Sequence, residues 1–423
     1  MDDVGVGNSS RAIRRPLLID RATGLLHELP TTYIFRHLGK KSLNAQVTVL
    51  YDLAFYLEWV RLRQGRSRGD RWKSPEARIR AGQFALTDGE VADLGHWCQS
   101  TAKDLSRAIH RERQNLRVLP AKEAVEGDTT NRKLTNIRDY LTWLIRNTIE
   151  GALTIDDKTL EKSVYFQQKL RLAFDSEMNG VKKPPPIKAL DSTTSKALHN
   201  EIATTKLFPD TPHGRRDRLI ARLLLASGLR ASELLKLYAA DIDSNYRINA
   251  AKTIALIKVI RRPNDVHDDR LLEPAVKTLP GPVAIRKDLA NDIINHITTD
   301  RRKAVDSRRH GKETPYLFVC LSGPRVGKPM SRRNLNRIIS KLTTLQDRFK
   351  KVSPHILRHT HFTEYSEAAM AKGKTPADIK SALLSRGHWS PKSEMPAHYT
   401  QSHIIKMQDE YNEARERSLN EQK

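Results

Sequence analysis

His355 and Arg358 stand three residues apart in the stretch HILRHTHFT, a spacing that puts both on one face of a helix. Imidazole moves protons near neutral pH, and guanidinium presents a planar fork of donors matched to phosphate oxygens. The same pair also suits a basic helix that holds phosphates without doing chemistry. A metal site built from His355, His359 and His361 lacks a carboxylate or thiolate partner nearby. Arg230 sits in ASGLRASELLKL, where Gly228 ends one apolar helix and a second begins just after the arginine. An arginine at such a junction can face a ligand while the buried helix fixes its backbone, although most arginines are solvated surface groups. The stretch RGHWSPKSEMPAHYT carries His388, Trp389, His398 and Tyr399. A tyrosine hydroxyl among basic groups is a candidate covalent nucleophile; the plainer reading is a packing residue with a wet hydroxyl. Lys277, in PAVKTLPGPVAI, is placed beside an expected turn between two β segments, where a lysine is ordinarily solvated.

The elements that position these groups follow from periodicity. SLNAQVTVLYDLAFYLEWVRLRQG has Val47, Leu50, Leu53, Ala54, Leu57 and Val60 at helical spacing, with Ser42 as N-cap and Gly65 near the end. Thr87 caps a second helix, and TNRKLTNIRDYLTWLIRNTI is a third, with Leu134, Ile137, Tyr140, Leu141 and Leu144 on one face. Pro184, Pro185 and Pro186 then interrupt the chain and favour a stiff extended linker. Beyond them lie an apolar helix over residues 218–227 and β-like runs at TIALIKVI and GPVAI. YLFVCL is another short apolar run, and helices resume at SRRNLNRIISKLTTL, HILRHTHFTEYSEAAMA and PADIKSALLS. The fold expected is mainly α with a small β-sheet (α+β), in two domains.

At 423 residues the chain exceeds what one compact core normally covers. It carries 74 Lys and Arg against 49 Asp and Glu, a formal charge of +25. A charge that large calls for a polyanionic partner, and nucleic acid is the first candidate, because neutralised phosphates release counterions and drive binding. A ribosomal-type or membrane-surface basic protein is the other class the charge allows. Cys98 and Cys320 fit neither a disulfide framework nor a zinc spacing. The apolar run at residues 219–225 is too short to cross a bilayer, and MDDVGVGNSSRAIRR has no signal-peptide core. These features predict a cytoplasmic, nucleoid-associated protein.

Taken in order, Arg230 in GLRASELL, Lys277 in VKT ahead of a β run, His355 and Arg358 in HILRH, His388 in GH, and then Tyr399 resemble the tyrosine recombinase, or phage integrase, family. The motifs cover roughly residues 187–410, and the first half matches only in style, as a helical core-binding domain. The resemblance implies an N-terminal extension over 1–30, a core-binding DNA domain over 31–180, a linker at 181–188, a catalytic domain over 189–402 and a tail helix over 403–423. Together these form a two-domain clamp on double-stranded DNA. It also implies cleavage by Tyr399 to a 3′-phosphotyrosine, with Arg230 and Arg358 on the nonbridging oxygens and Lys277 protonating the departing 5′ oxygen. His355 assists proton transfer and His388 bonds a phosphate oxygen; Glu233 steadies the helix behind Arg230. No cofactor, metal or ATP is implied. The partners implied are DNA, further copies of the chain in a tetramer, and accessory proteins.

The interval from His388 to Tyr399, with Pro391 and Pro396, is longer than the family's usual spacing. Lys252 and Lys258 compete with Lys277 for the lysine role. Two other functions remain at this point: DNA relaxation of the type IB topoisomerase kind, and DNA binding without chemistry.

Overall fold

The computed structural model describes residues 15–66, 72–112, 127–149, 156–178, 189–204, 207–249, 252–307, 313–397 and 399–400, with residues 125 and 415. The expected linker at 181–188 and all of the expected tail at 403–423 except Arg415 lie outside the described residues. The contacts divide the chain into two compact units, Met1–Pro184 and Pro185–Lys423.

The first unit is helical: α1 (Glu28–His37), α2 (Leu43–Arg66), α3 (Pro75–Arg80), α4 (Asp88–Cys98), α5 (Ala102–Glu112), α6 (Gly127–Ile149) and α7 (Asp157–Glu177). Several starts are written into the sequence. The side chains of Ser74, Thr87 and Asp156 each accept the backbone N–H three residues on, and Thr87 with Glu90 closes a full capping box. The predicted stripe of α2 buries Leu50, Leu53, Tyr56 and Trp59 in one core with Leu134, Ile137, Tyr140 and Leu141 of α6. Asp52, buried on α2, takes hydrogen bonds from Arg132 at 3.1 Å and Asn136 at 2.7 Å, which fixes how the two helices slide on each other.

The second unit holds α8 (Ser192–Ala203), α9 (Pro212–Ser227), α10 (Ala231–Leu235), β1 (Ile242–Asn249), β2 (Lys252–Val259), β3 (Gly281–Ile285), α11 (Lys287–His296), α12 (Arg302–Asp306), α13 (Arg332–Ser340), α14 (Pro354–Ala371) and α15 (Pro376–Gly387). A π turn, Ile297–Arg301, joins α11 to α12. The strands form one antiparallel sheet in the order β1-β2-β3. The mainly helical architecture with a small sheet is therefore as the sequence predicts. The apolar run of α9 is core: Leu219, Ile220, Leu223 and Leu224 pack with Leu234, Ile257, Ile338 and Leu357. YLFVCL is buried over Tyr316–Val319 and, among the described residues, makes isolated bridges rather than a named strand, Tyr238 to Tyr316 and Val319 to Pro329.

The connection from β2 to β3 is long, running over residues 260–280, and Lys277 lies near its end. A buried polar network fastens it. Lys236, just past α10, bonds Asp265 at 3.4 Å, Asp268 at 3.2 Å and also Glu273. Arg270 adds bonds to Asp268 and to the carbonyls of Leu235 and Met330. The lysine is thus carried by a loop tied at several points to the helical core, where the sequence suggests a simple turn.

Candidate active site

Two helix ends meet at the centre of the second unit. Gly228 ends α9 in the left-handed conformation, φ +65°, and a Cβ there would lie 2.5 Å from the His361 ring, so only glycine fits the turn. Arg230 follows as the N-cap of α10, with its backbone N–H on Glu233 at 2.7 Å. At the other end, Gly387 closes α15, and a Cβ on it would meet the Trp389 ring at 2.4 Å. His388 then takes φ +52°, a strained conformation for a residue with a side chain.

The two arginines converge. Arg230 donates to Glu233 at 3.2 Å and to the Gly387 carbonyl at 3.4 Å. Arg358, only 3% exposed, donates to that same carbonyl at 2.9 Å and to the Gly228 carbonyl at 2.5 Å, with Glu233 at 3.5 Å. Burial, followed by the neighbouring Arg230 charge, brings the Arg358 pKa down to about 10. Burial alone would raise the Glu233 carboxyl, but Arg358, the Thr278 hydroxyl and Arg230 hold it below the usual range. A carboxylate and a carbonyl thus hold two guanidiniums side by side with donors to spare, an arrangement suited to a phosphate group.

Tyr399 is buried, stacked on Trp389 at 5.8 Å and against Phe362 at 5.5 Å. Its hydroxyl bonds His359 Nδ1 at 2.5 Å, and His359 Nε2 bonds His355 Nε2 at 2.7 Å. Burial pushes the phenol up to about 12, against the pull of Arg358 and Arg230. Burial and the same two arginines push His355 down. A short helical segment carries Tyr399 despite Pro396, and His398 lies outside the described residues.

His388 is buried, with the Pro282 carbonyl as an acceptor for its ring, while its Nε2 has no partner among the described residues. Gly281 makes room for that ring, since a Cβ there would come within 2.8 Å of it. Lys277 is exposed, but its neighbour Thr278 is buried and donates to Glu233 at 2.5 Å, and the Leu279 N–H donates to the His388 carbonyl at 3.0 Å. The segment carrying Lys277 is therefore sewn to the arginine cluster. Lys258 faces out of β2 toward Asp243 at 3.7 Å, and the side chain of Lys252 is not among those described. Sequence reasoning passed over Thr278 and the Gly387 carbonyl, and weighed His359 only as a metal ligand and as part of the HILRH motif, not as the partner of the tyrosine hydroxyl. Its place beside His355 was accessible, because four residues after His355 is one helical turn on the same face.

His361 packs beneath the Gly228 turn, with Nδ1 donating to the Leu225 carbonyl at 3.0 Å and Nε2 accepting from Arg386 at 2.8 Å. Burial and then Arg386 push its pKa from 6.5 down to about 3. Unfolding lets it take up a proton, so its contribution to stability is whole above pH 6.5 and is lost as pH falls toward 3. Across that window one such histidine contributes a slope of about 1.4 kcal/mol per pH unit. Urea unfolding at pH 7, 6 and 5 is expected to show declining stability, and His361→Gln a shallower decline. A variant with the wild-type slope rejects this account.

No family model matches the sequence. Curated relatives do: the tyrosine recombinase XerC of Pelobacter propionicus is 27% identical over 222 residues, 51% of this chain and 59% of that protein. Tyrosine recombinase XerS of Streptococcus pyogenes is 24% identical over 370 residues, 85% of this chain and 91% of that protein. The chain spans 59% and 48% of the length of two XerC relatives, that of P. propionicus and that of Syntrophus aciditrophicus. Among solved structures, the Tn1549 transposon integrase in complex with transposon right end DNA is 14% identical, covering 89% of this chain and 98% of that one, with a TM-score of 0.44.

Proposed function

We propose that this chain, a relative of the tyrosine recombinases, cuts a DNA strand with Tyr399 and rejoins it through a 3′-phosphotyrosine intermediate, in the integration or excision of a mobile element. The observation that carries the reading is the shared clamp of Arg230 and Arg358 on the Gly387 carbonyl, in the same cluster as a tyrosine hydroxyl bonded to histidine.

The roles follow from the chemistry at each atom. Attack by the Tyr399 oxygen gives a pentacovalent phosphorus bearing extra negative charge, which the two guanidiniums meet with preorganised donors. Lysine in either place would forfeit the fork. Lys277 protonates the departing 5′ oxygen. Nε2 of His388, without a partner among the described residues, faces a nonbridging oxygen. Burial holds this imidazole below its ordinary value, and with the Pro282 carbonyl taking the other ring proton it donates once an adjacent phosphate offsets that burial and favours the imidazolium. His355 assists at the nucleophile. The phosphotyrosine bond conserves the energy of the cut phosphodiester, so rejoining needs no ATP. The working form is a tetramer on duplex DNA, with accessory proteins as further partners, in the cytoplasm on the nucleoid. Among the described residues no helix is long and apolar enough to cross a membrane.

The test is a suicide DNA substrate whose nicked end diffuses away after cleavage. Wild-type protein is expected to form a covalent protein–DNA adduct, and no adduct on any recovered target rejects the proposal. Relaxation of plasmid lacking a recombination site marks a topoisomerase instead. Because guanidinium and ammonium groups supply the positive charge, adduct formation is expected to persist in excess EDTA. Loss of cleavage that magnesium restores would overturn that expectation.

A further inference from the structure

The bonds around Tyr399 form a directed chain. Among the described residues the hydroxyl bonds His359 Nδ1, and the opposite nitrogen of that ring, Nε2, bonds His355 Nε2. If the phenol donates, Nδ1 accepts, so neutral His359 carries its proton on Nε2 and donates it to His355. His355 then carries its own proton on Nδ1. His359 is 1% exposed, whereas His355 lies exposed one turn earlier on α14, with the two rings 4.1 Å apart and nearly perpendicular.

We infer that His359 is the base that receives the Tyr399 proton and that His355 is the exposed end of a two-histidine relay. The inference rests on Tyr399 being the nucleophile and refines the proton assistance assigned to His355. In the forward step the Tyr399 oxygen forms its bond to phosphorus as its proton passes to His359 Nδ1. The proton on His359 Nε2 moves to His355 Nε2, leaving His359 neutral and His355 an imidazolium. The bond from phosphorus to the 5′ oxygen breaks, and Lys277 supplies that oxygen with a proton. Rejoining runs each transfer backward, so the protein ends in its starting protonation state.

The geometry explains why a relay is needed. Tyr399 is walled in by Phe362 and Trp389, so its proton has no direct aqueous exit past those rings. The phenol is pushed up to about 12 by burial, which makes unassisted ionisation rare near neutral pH. His355 is held below its ordinary value first by burial and then by Arg358 and Arg230, so it stands neutral and ready to accept. Among the described residues the charged groups that act on His355 and Tyr399 are Arg358 on α14 and Arg230 at α10, and behind those arginines lie Glu233 and His388. The arginines favour phenolate and oppose imidazolium on His355, so what places the positive end of the relay there rather than on His359 is exposure to water, since His359 is buried.

His359→Asn keeps a hydrogen-bonding side chain but cannot relay a proton. In single-turnover cleavage of the suicide substrate it is expected to lose about 100-fold or more. Replacing Tyr399 with a fluorinated, more acidic tyrosine is expected to recover at least about tenfold in His359→Asn and far less in the unaltered chain, because an acidic phenol needs the base least. A merely structural histidine predicts the same deficit with either tyrosine, and that result overturns the relay, as does His359→Asn cleaving within about threefold of wild type. Melting temperature and DNA affinity check the fold. Should the variant not fold, the native protein serves with a bridging 5′-phosphorothiolate substrate, whose leaving sulfur needs no proton. A curved rate in mixed light and heavy water then reports two protons in flight, and no isotope effect overturns the relay. An unaltered chain that forms no adduct rejects the recombinase reading itself, whereas an adduct indifferent to His359 rejects only the relay.

Discussion

Tyr399→Phe is expected to abolish the covalent adduct while leaving DNA affinity within about twofold of wild type, since nothing replaces the oxygen proposed as nucleophile. The ring stays, and with it the stacking on Trp389 and the contact with Phe362. What is lost besides the oxygen is one buried hydrogen bond to His359, worth about 1 kcal/mol of stability. The variant should therefore fold and bind but not cut. Tyr365 and Tyr411 are the rivals nearest in sequence. Tyr365 is held within α14 under the Arg386 guanidinium, 5.4 Å from the ring, and packs on the same small core as Phe362. Tyr411 lies outside the described residues. Peptide mapping of a trapped adduct decides between them: a phosphotyrosyl link at either rival, or any adduct in Tyr399→Phe, defeats the assignment.

How far the sequence reached depended on how local each signal was. The helices that put one apolar face on a core were legible, as in α2 and α6, and so were starts that close a local ring, such as Thr87 with Glu90. Helix α7 was not, because Leu160, Val164, Tyr165 and Leu172 stay exposed and blur the pattern of its buried face. Strand β1, IDSNYRIN, has no alternation of apolar and polar residues; it exists because β2 pairs with it. In the site, residue types and chain order pointed to the two arginines, but not to what joins them. The Gly387 carbonyl that both arginines share and the Thr278 bond to Glu233 are contacts between distant segments. The same holds for the anchoring of residues 260–276 on Lys236, which no motif encodes.

Arg358→Ala and Arg230→Ala are expected to diverge, although both remove a guanidinium from the same proposed phosphate clamp. Each should slow cleavage by two to three orders of magnitude or more, as removal of a preorganised donor does, about 3–4 kcal/mol of barrier. Stability separates them. Arg358 is buried and ties the Gly228 turn, the Gly387 helix end and Glu233 together. Without it two carbonyls lose a charged donor, and among the described residues the buried Glu233 keeps Arg230, Thr278 and a backbone N–H. Breaking a buried pair in this way costs on the order of 3–5 kcal/mol. The Arg230 side chain is 30% exposed, and solvent screens its pairing with Glu233. Its loss should cost about 1 kcal/mol or less. Urea midpoints measured beside single-turnover rates read both effects. Arg358→Lys should keep part of the stability, because a cation still faces Glu233, yet recover little cleavage, because one ammonium cannot reach two carbonyls and still present a fork to phosphate. Equal destabilisation by the two alanine variants would mean that Arg358 does not brace the site, and full cleavage by Arg358→Lys would mean that its fork geometry is not what the reaction uses.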